Sequence, residues 1–113
     1  RRPFWLVSLS LMTLWHLYGQ TANHIVISEV YGGGGNSGST WKNDFIELYN
    51  PTNGPVDLGG WSVQYSSATQ STWQVTPLQG TIQPKGYYLI KEAQGTGGTQ
   101  DLPSPDVSGT ISM

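Results

Sequence analysis

The chain has 113 residues, which is enough for one domain. Charged residues make up 11% of it, about half of the usual share, and it contains no cysteine, which excludes a disulfide framework and a thiolate metal site. With 15 glycines, 5 tryptophans and 6 tyrosines, this composition favours an all-β extracellular domain over a helical cytosolic one.

The pattern of residues 1–22 predicts a secretory signal peptide, which we expect to be helical. Arg1 and Arg2 are followed by a mainly apolar run, Pro3 to Tyr18, and then by the small residues Gly19 and Ala22. The run is shorter than the roughly 20 apolar residues that span a bilayer and has no charged stop after it, so a signal peptide is favoured over a membrane anchor. Cleavage after Gly19 and after Ala22 both stay open. The paired arginines also resemble a twin-arginine motif, with ordinary secretion as the default.

The segment that remains, residues 23–113, is expected to be secreted or held at the cell surface, with no membrane contact after cleavage. It carries seven acidic residues against three lysines, a net charge near −4. Binding to a phosphate backbone requires a cluster of lysine and arginine side chains. The charge balance therefore argues against nucleic-acid binding by this segment.

The first predicted strand runs from His24 to Tyr31, with Ile25, Ile27, Glu29 and Tyr31 expected on one face. A glycine-rich stretch, residues 32–40, is expected to be a flexible connection. The most regular strand follows between Asn43 and Pro51, where Ile46 and Leu48 alternate with Phe45, Glu47 and Tyr49. An alternation of period two is typical of a strand whose two faces differ.

Further short strands are predicted at residues 56–58, 61–65, 73–75, 78–82 and 87–91, with a turn at residues 83–86 and a surface loop from Ala93 to Thr110. Short strands separated by turn signals at this spacing indicate a β-sandwich or a barrel. Trp61, Tyr65 and Trp73 are predicted to lie in its core, because large aromatic side chains fill the space between two sheets.

Four segments together resemble the lamin tail domain in its bacterial form: I-S-E-V-Y (27–31), D-F-I-E-L-Y-N (44–50), V-D-L-G-G-W-S-V (56–63) and I-Q-P-K-G-Y-Y-L-I (82–90). The resemblance covers residues 25–113 and implies an immunoglobulin-like β-sandwich. It also implies one or two further strands, so we expect the domain to be truncated at its C terminus.

The same resemblance implies a function. Such domains serve as non-catalytic binding or adapter modules of secreted or cell-surface bacterial proteins, so we expect no enzyme activity from this segment. They are often joined to hydrolases of the endonuclease/exonuclease/phosphatase class. The alternative is therefore that this chain is the N-terminal accessory domain of an extracellular hydrolase.

Three carboxylates on or beside neighbouring strands form a candidate metal site: Glu29, Asp44 and Glu47. Carboxylates can hold Ca²⁺ through hard oxygen ligands or act in acid/base chemistry. The simpler interpretation places both glutamates on the solvent face of the sheet or in hydrogen bonds to loop amides, and no cofactor is expected apart from a structural Ca²⁺. The pattern G-x-G-x-x-G at residues 33–38 is not followed by the helix that a dinucleotide site requires.

Three aromatic residues near the glycine-rich stretch are candidate partner contacts: Tyr31, Trp41 and Tyr49. An exposed aromatic group stacks on sugar rings or packs against a partner protein. A protein and a surface polysaccharide both remain open as the partner.

Overall fold

The computed structural model describes residues 21–113, so the predicted signal peptide lies almost entirely outside the described residues. The described chain is all-β, as predicted, and no helix within it is long and apolar enough to cross a membrane. Its strands are β1 (Val26–Tyr31), β2 (Asn43–Tyr49), β3 (Val56–Asp57), β4 (Ser62–Tyr65), β5 (Gln74–Pro77), β6 (Thr81–Ile82), β7 (Tyr87–Gln94) and β8 (Val107–Ser108).

The strands form one four-stranded sheet and two strand pairs. The sheet has the order β1-β2-β7-β8, in which β7 and β8 are parallel and the other neighbours antiparallel. Strand β2 therefore lies inside the sheet. The second layer consists of the pairs β3–β6 and β4–β5.

The core lies between these two layers. Four inward-facing side chains of β2 and β7 meet three from the second layer: Ile46, Leu48, Tyr88 and Ile90 pack against Leu58, Leu78 and Ile82. All seven are at most 5% exposed, and burial of each such side chain stabilises the fold by about 1.5–3 kcal/mol. This packing makes the domain a β-sandwich.

The prediction that tryptophan side chains seal the core is wrong. Trp61 is 44% exposed and Trp73 is 62% exposed. Each precedes the first residue of a strand, β4 and β5 respectively, so both lie at the end of this strand pair and not at its middle. Aliphatic residues and Tyr88 fill the space instead.

A bulge in β1 corrects the predicted faces of that strand. Ile27 lies opposite Leu48 and Glu29 lies opposite Glu47, so Ser28 is an extra residue on β1. Residues directly opposite each other share a face of the sheet. Ile27 therefore faces the core side and Glu29 the outer side, instead of sharing one face.

The glycine-rich stretch is not the flexible connection that was predicted, because its backbone is hydrogen-bonded to the rest of the domain. Gly35 N–H donates to the Trp41 carbonyl at 2.8 Å, and Gly97 N–H donates to the Gly35 carbonyl at 2.7 Å. Gly35 has a φ of 74°, and a Cβ on it would lie 2.2 Å from the Cα of Gly95. The two glycine-rich segments thus pack backbone to backbone, which side chains would prevent.

The region from Ala93 to Thr110 is also more ordered than a surface loop. Ala93 and Gln94 belong to β7, and Val107–Ser108 form β8. Asp106 makes a reciprocal pair of bonds with Leu89: its N–H donates to the Leu89 carbonyl at 2.9 Å, and its Oδ2 accepts from the Leu89 N–H at 2.7 Å. These bonds guide the chain onto the edge of β7.

Asn50 ties together the turn after β2 and the turn before β7. Its fully buried amide donates to the carbonyls of Gly54 and Ile82, at 2.9 and 3.0 Å, and its Oδ1 accepts from the N–H and hydroxyl of Thr52. In the second turn Lys85, and not a glycine, has the positive φ of 60°. Its N–H donates to the Asn50 carbonyl at 2.8 Å, which joins the two turns.

Candidate functional site

The outer face of the four-stranded sheet carries most of the predicted site residues. Because directly opposite residues share a face, the strand registers arrange nine side chains in three rows across β1, β2 and β7. The rows are Val26, Tyr49 and Tyr87; Glu29, Glu47 and Leu89; Tyr31, Phe45 and Lys91.

Each aromatic residue of this face is paired with another. Tyr31 stacks on Phe45 with ring centroids 5.2 Å apart, and Tyr49 lies at a tilt against Tyr87 at 4.8 Å. Phe45 and Tyr49 are four residues apart on β2, which corresponds to about 13 Å along a strand. The structure therefore does not bring Tyr31 and Tyr49 together.

Trp41, the third predicted partner contact, lies in the loop that leads into β2. Its carbonyl accepts hydrogen bonds from the Gly35 N–H and, at 3.0 Å, from the Ser39 hydroxyl. It also forms an isolated parallel bridge with Gln100. Its side chain is half-buried, so the three predicted aromatic contacts occupy separate positions.

Two of the three predicted metal ligands meet, and the third does not join them. Glu29 and Glu47 lie directly opposite each other on the outer face, where the Ser28 hydroxyl donates to Glu47 Oε1 at 2.8 Å. Asp44 is separated from Glu47 by an odd number of positions along β2, so its side chain lies on the opposite face. Within residues 21–113 no three His, Cys, Asp or Glu side chains are grouped as a metal site would need.

Asp44 has a different set of partners. It is 4% exposed, and its two carboxylate oxygens accept from the Gly34 N–H at 2.9 Å and from the Met113 N–H at 2.8 Å. The carboxylate thus holds the glycine-rich loop and the C-terminal residues against the same end of β2. The loop-amide bonds that the sequence suggested for the two glutamates are therefore made by Asp44 instead, and a calcium site stays a prediction.

Glu92 is a buried carboxylate that sequence reasoning missed. It is 2% exposed, accepts from the Thr76 hydroxyl at 2.8–2.9 Å, and accepts from the Ile111 N–H at 3.1 Å. The signal was available, since Glu92 continues the alternation of Tyr88 and Ile90 along β7. Its bonds replace the hydration that a buried carboxylate loses.

A cleft between β1 and β4 is the second feature that sequence reasoning missed. Its volume is about 280 Å³, and none of the residues between 21 and 113 that line it is charged. Aliphatic side chains and one tryptophan provide most of the lining: Ile25, Ile27, Ile46, Trp61, Val63 and Leu78. Ile27 is 61% exposed and Trp61 is 44% exposed, so the cleft opens to solvent along one side of the sandwich.

The model of the Lamin Tail Domain family matches residues 19–110. The chain belongs to the lamin tail domain family. The two-layer arrangement described above is accordingly the predicted immunoglobulin-like β-sandwich, and the lamin tail domain is a non-catalytic module. A search of curated proteins and a search of solved structures found no significant match.

Proposed function

We propose that this lamin tail domain is a partner-binding module of an exported protein, and that the partner occupies the cleft between β1 and β4. The observation that carries the proposal is the exposure of Ile27 and Trp61 on the two sides of an apolar cleft. Contiguous exposed apolar surface in a folded domain marks sites of interaction.

The chemistry of the lining favours a protein over a polysaccharide as the partner. Among the described residues that line the cleft, only Ser62 and Gln64 have a hydroxyl or amide side chain. Sugars present a hydroxyl on most carbons and need a matching number of hydrogen-bonding groups, because each buried polar group left without a partner costs about 1–3 kcal/mol. Apolar protein side chains need none.

The carboxylates of the domain support a structural and not a chemical role. Asp44 and Glu92 are buried and hydrogen-bonded to backbone amides of other segments. They hold the loops and the C-terminal residues in place, so the rigid sandwich presents a preformed cleft. A preformed site binds with a smaller entropic cost than one that must become ordered.

The test is a selection of displayed peptides against the purified 113-residue chain, followed by affinity measurement on two variants. Ile27→Thr shortens an apolar side chain of the cleft and keeps its β-branching. Val75→Thr makes a similar change on β5, at a residue that is 52% exposed and does not line the cleft. We expect selected peptides to lose affinity for Ile27→Thr and to keep it for Val75→Thr.

Two results would contradict the proposal. The selection could yield no binder, or the selected peptides could bind both variants as tightly as the parent chain. Trp61 provides an independent reading, since its fluorescence should change when a peptide fills the cleft and Trp61→Ala should remove that change.

Export and a hydrolase context are separate parts of the proposal. Export is supported by the signal-peptide pattern of the first 22 residues, and it is tested by N-terminal sequencing of chain recovered from the culture medium. A new N terminus at Gln20 or Asn23 would identify the cleavage site. The role as accessory domain of an extracellular hydrolase is tested by assaying the native gene product for nuclease and phosphatase activity.

A further inference from the structure

The free edge of β1 and the cleft beside it point to the form in which a partner binds. We propose that the partner is an extended protein segment that adds to β1 as an extra strand, with apolar and basic side chains in alternation. This inference rests on the proposed function, since it names the occupant of the same cleft.

The first observation is the edge itself. In the described chain β1 is the outermost strand of the sheet, so alternate residues direct their N–H and C=O groups away from β2. The six residues of β1 contain no proline or lysine, two residues that natural sheets use to protect an edge, and the protective features that β1 has are the bulge at Ser28 and the charge of Glu29. The opposite edge, β8, has only two residues.

The second observation is the apolar surface on the inner side of this edge. Ile27 and Val30 lie opposite Leu48 and Ile46, on the core face of the sheet. They are nevertheless 61% and 56% exposed, because none of the strands within residues 21–113 pairs with the outer side of β1. A strand added there would direct every second side chain into the cleft, against Ile27 and Trp61.

The third observation is the charge on the outer side. The remaining side chains of an added strand would lie next to Glu29, which is exposed and directly opposite Glu47. Like charges opposite each other destabilise a strand pair, and an opposite charge across the pair stabilises it. Lysine or arginine at these positions would therefore complement both glutamates, in a segment whose net charge is near −4.

The same charges disfavour a second copy of this chain as the occupant. Its β1 carries the same glutamate and no basic residue, so the outer sides of two paired β1 strands would add acidic groups next to acidic groups. Two copies would also repel each other through their net charge. A basic partner segment has neither disadvantage.

The test uses an eight-residue peptide of alternating valine and lysine, with capped ends, titrated calorimetrically into the purified chain. Its control has glutamate in place of lysine. We expect binding of the lysine peptide and no measurable binding of the glutamate peptide. Glu29→Gln should weaken the lysine peptide by about twofold to fivefold, the range of a cross-strand ion pair, and should make its affinity less sensitive to salt.

A second pair of peptides tests the strand geometry. The two peptides are N-methylated lysine peptides, one at the odd-numbered residues and the other at the even-numbered residues. Each set of methyl groups blocks the N–H groups along one edge of the peptide strand, so one peptide should lose binding and the other should keep it. A merely hydrophobic association would respond equally to both sets. Equal responses, or equal binding of the lysine and glutamate peptides, would overturn the strand-addition proposal.

Failure here is distinguishable from failure of the proposed function. If displayed peptides bind the cleft and lose affinity for Ile27→Thr, but the lysine peptide does not bind, only the strand-addition proposal is wrong. If sedimentation shows a dimer that the lysine peptide does not dissociate, a second copy occupies the edge and the basic partner is ruled out.

Discussion

Replacement of Asp44 is the most informative single perturbation, because it separates a structural carboxylate from a calcium ligand. The carboxylate accepts the Gly34 N–H at 2.9 Å and the Met113 N–H at 2.8 Å, and it is 4% exposed. A hydrogen bond to a charged group contributes about 1.5–3 kcal/mol. Both bonds are only partly buried, so we expect Asp44→Ala to lower the free energy of unfolding by about 2–4 kcal/mol, less than the sum for two fully buried bonds.

The assay is urea unfolding followed by tryptophan fluorescence, with and without added Ca²⁺. Asp44→Asn keeps one acceptor oxygen and should lose about half as much stability as Asp44→Ala. Asp101→Ala is the matched control, since that carboxylate pairs with Lys42 at 3.3 Å with its side chain 82% exposed. An exposed ion pair of this kind contributes about 0–1 kcal/mol.

Two results would refute this reasoning about Asp44. The first is an Asp44→Ala variant as stable as Asp101→Ala. The second is a parent chain whose stability rises with Ca²⁺ concentration while that of Asp44→Asn does not. Since a ligand that binds only the folded state stabilises it in proportion to the logarithm of its concentration, that second pattern would make Asp44 a calcium ligand.

Three further predictions concern the turns and the glycine-rich loop, all measured as free energies of unfolding. Gly35→Ala should be more destabilising than Gly38→Ala by at least about 2 kcal/mol. Both glycines have a positive φ, but only at Gly35 would an added Cβ collide with backbone atoms. Equal losses would show that the loop moves freely. Asn50→Ala should cost about 3 kcal/mol through its four side-chain bonds, whereas Asn53→Ala, at an exposed position of the same turn, should cost less than about 0.5 kcal/mol. Lys85→Gly should relieve about 1 kcal/mol of backbone strain at φ 60° and so raise the free energy of unfolding. If the free energy of unfolding falls instead, the hydrogen bond from Lys85 Nζ to the Pro51 carbonyl contributes more than the strain costs.

The strands were predictable because their signal is local. Ile46 and Leu48 alternate with Phe45 and Glu47, and this alternation predicted a strand with two unlike faces. The structure shows that strand, β2, with its aliphatic face toward the core. The turn residues around Pro51 and Pro84 marked where β2 ends and where β7 begins. The resemblance of four segments to the lamin tail domain then gave the family, which the match over residues 19–110 confirmed.

The positions of the functional candidates were not predictable, because each depends on partners distant in the sequence. A single extra residue, Ser28, reversed the faces of β1 and placed Glu29 opposite Glu47, an effect that alternation within β1 does not reveal. Trp61 and Trp73 were expected in the core from residue type, yet they stand just outside the paired strands and remain exposed.

The sequence by itself determined the class of fold, the approximate positions of most strands and the family, because period-two patterning and turn chemistry act over a few residues. Tertiary structure alone decided that Asp44 binds backbone amides, which groups Glu92 bonds to, and that a cleft opens beside the outer edge of β1. Those features depend on strand register and on the contact between the two layers, and both are set only when segments far apart in the chain pack together.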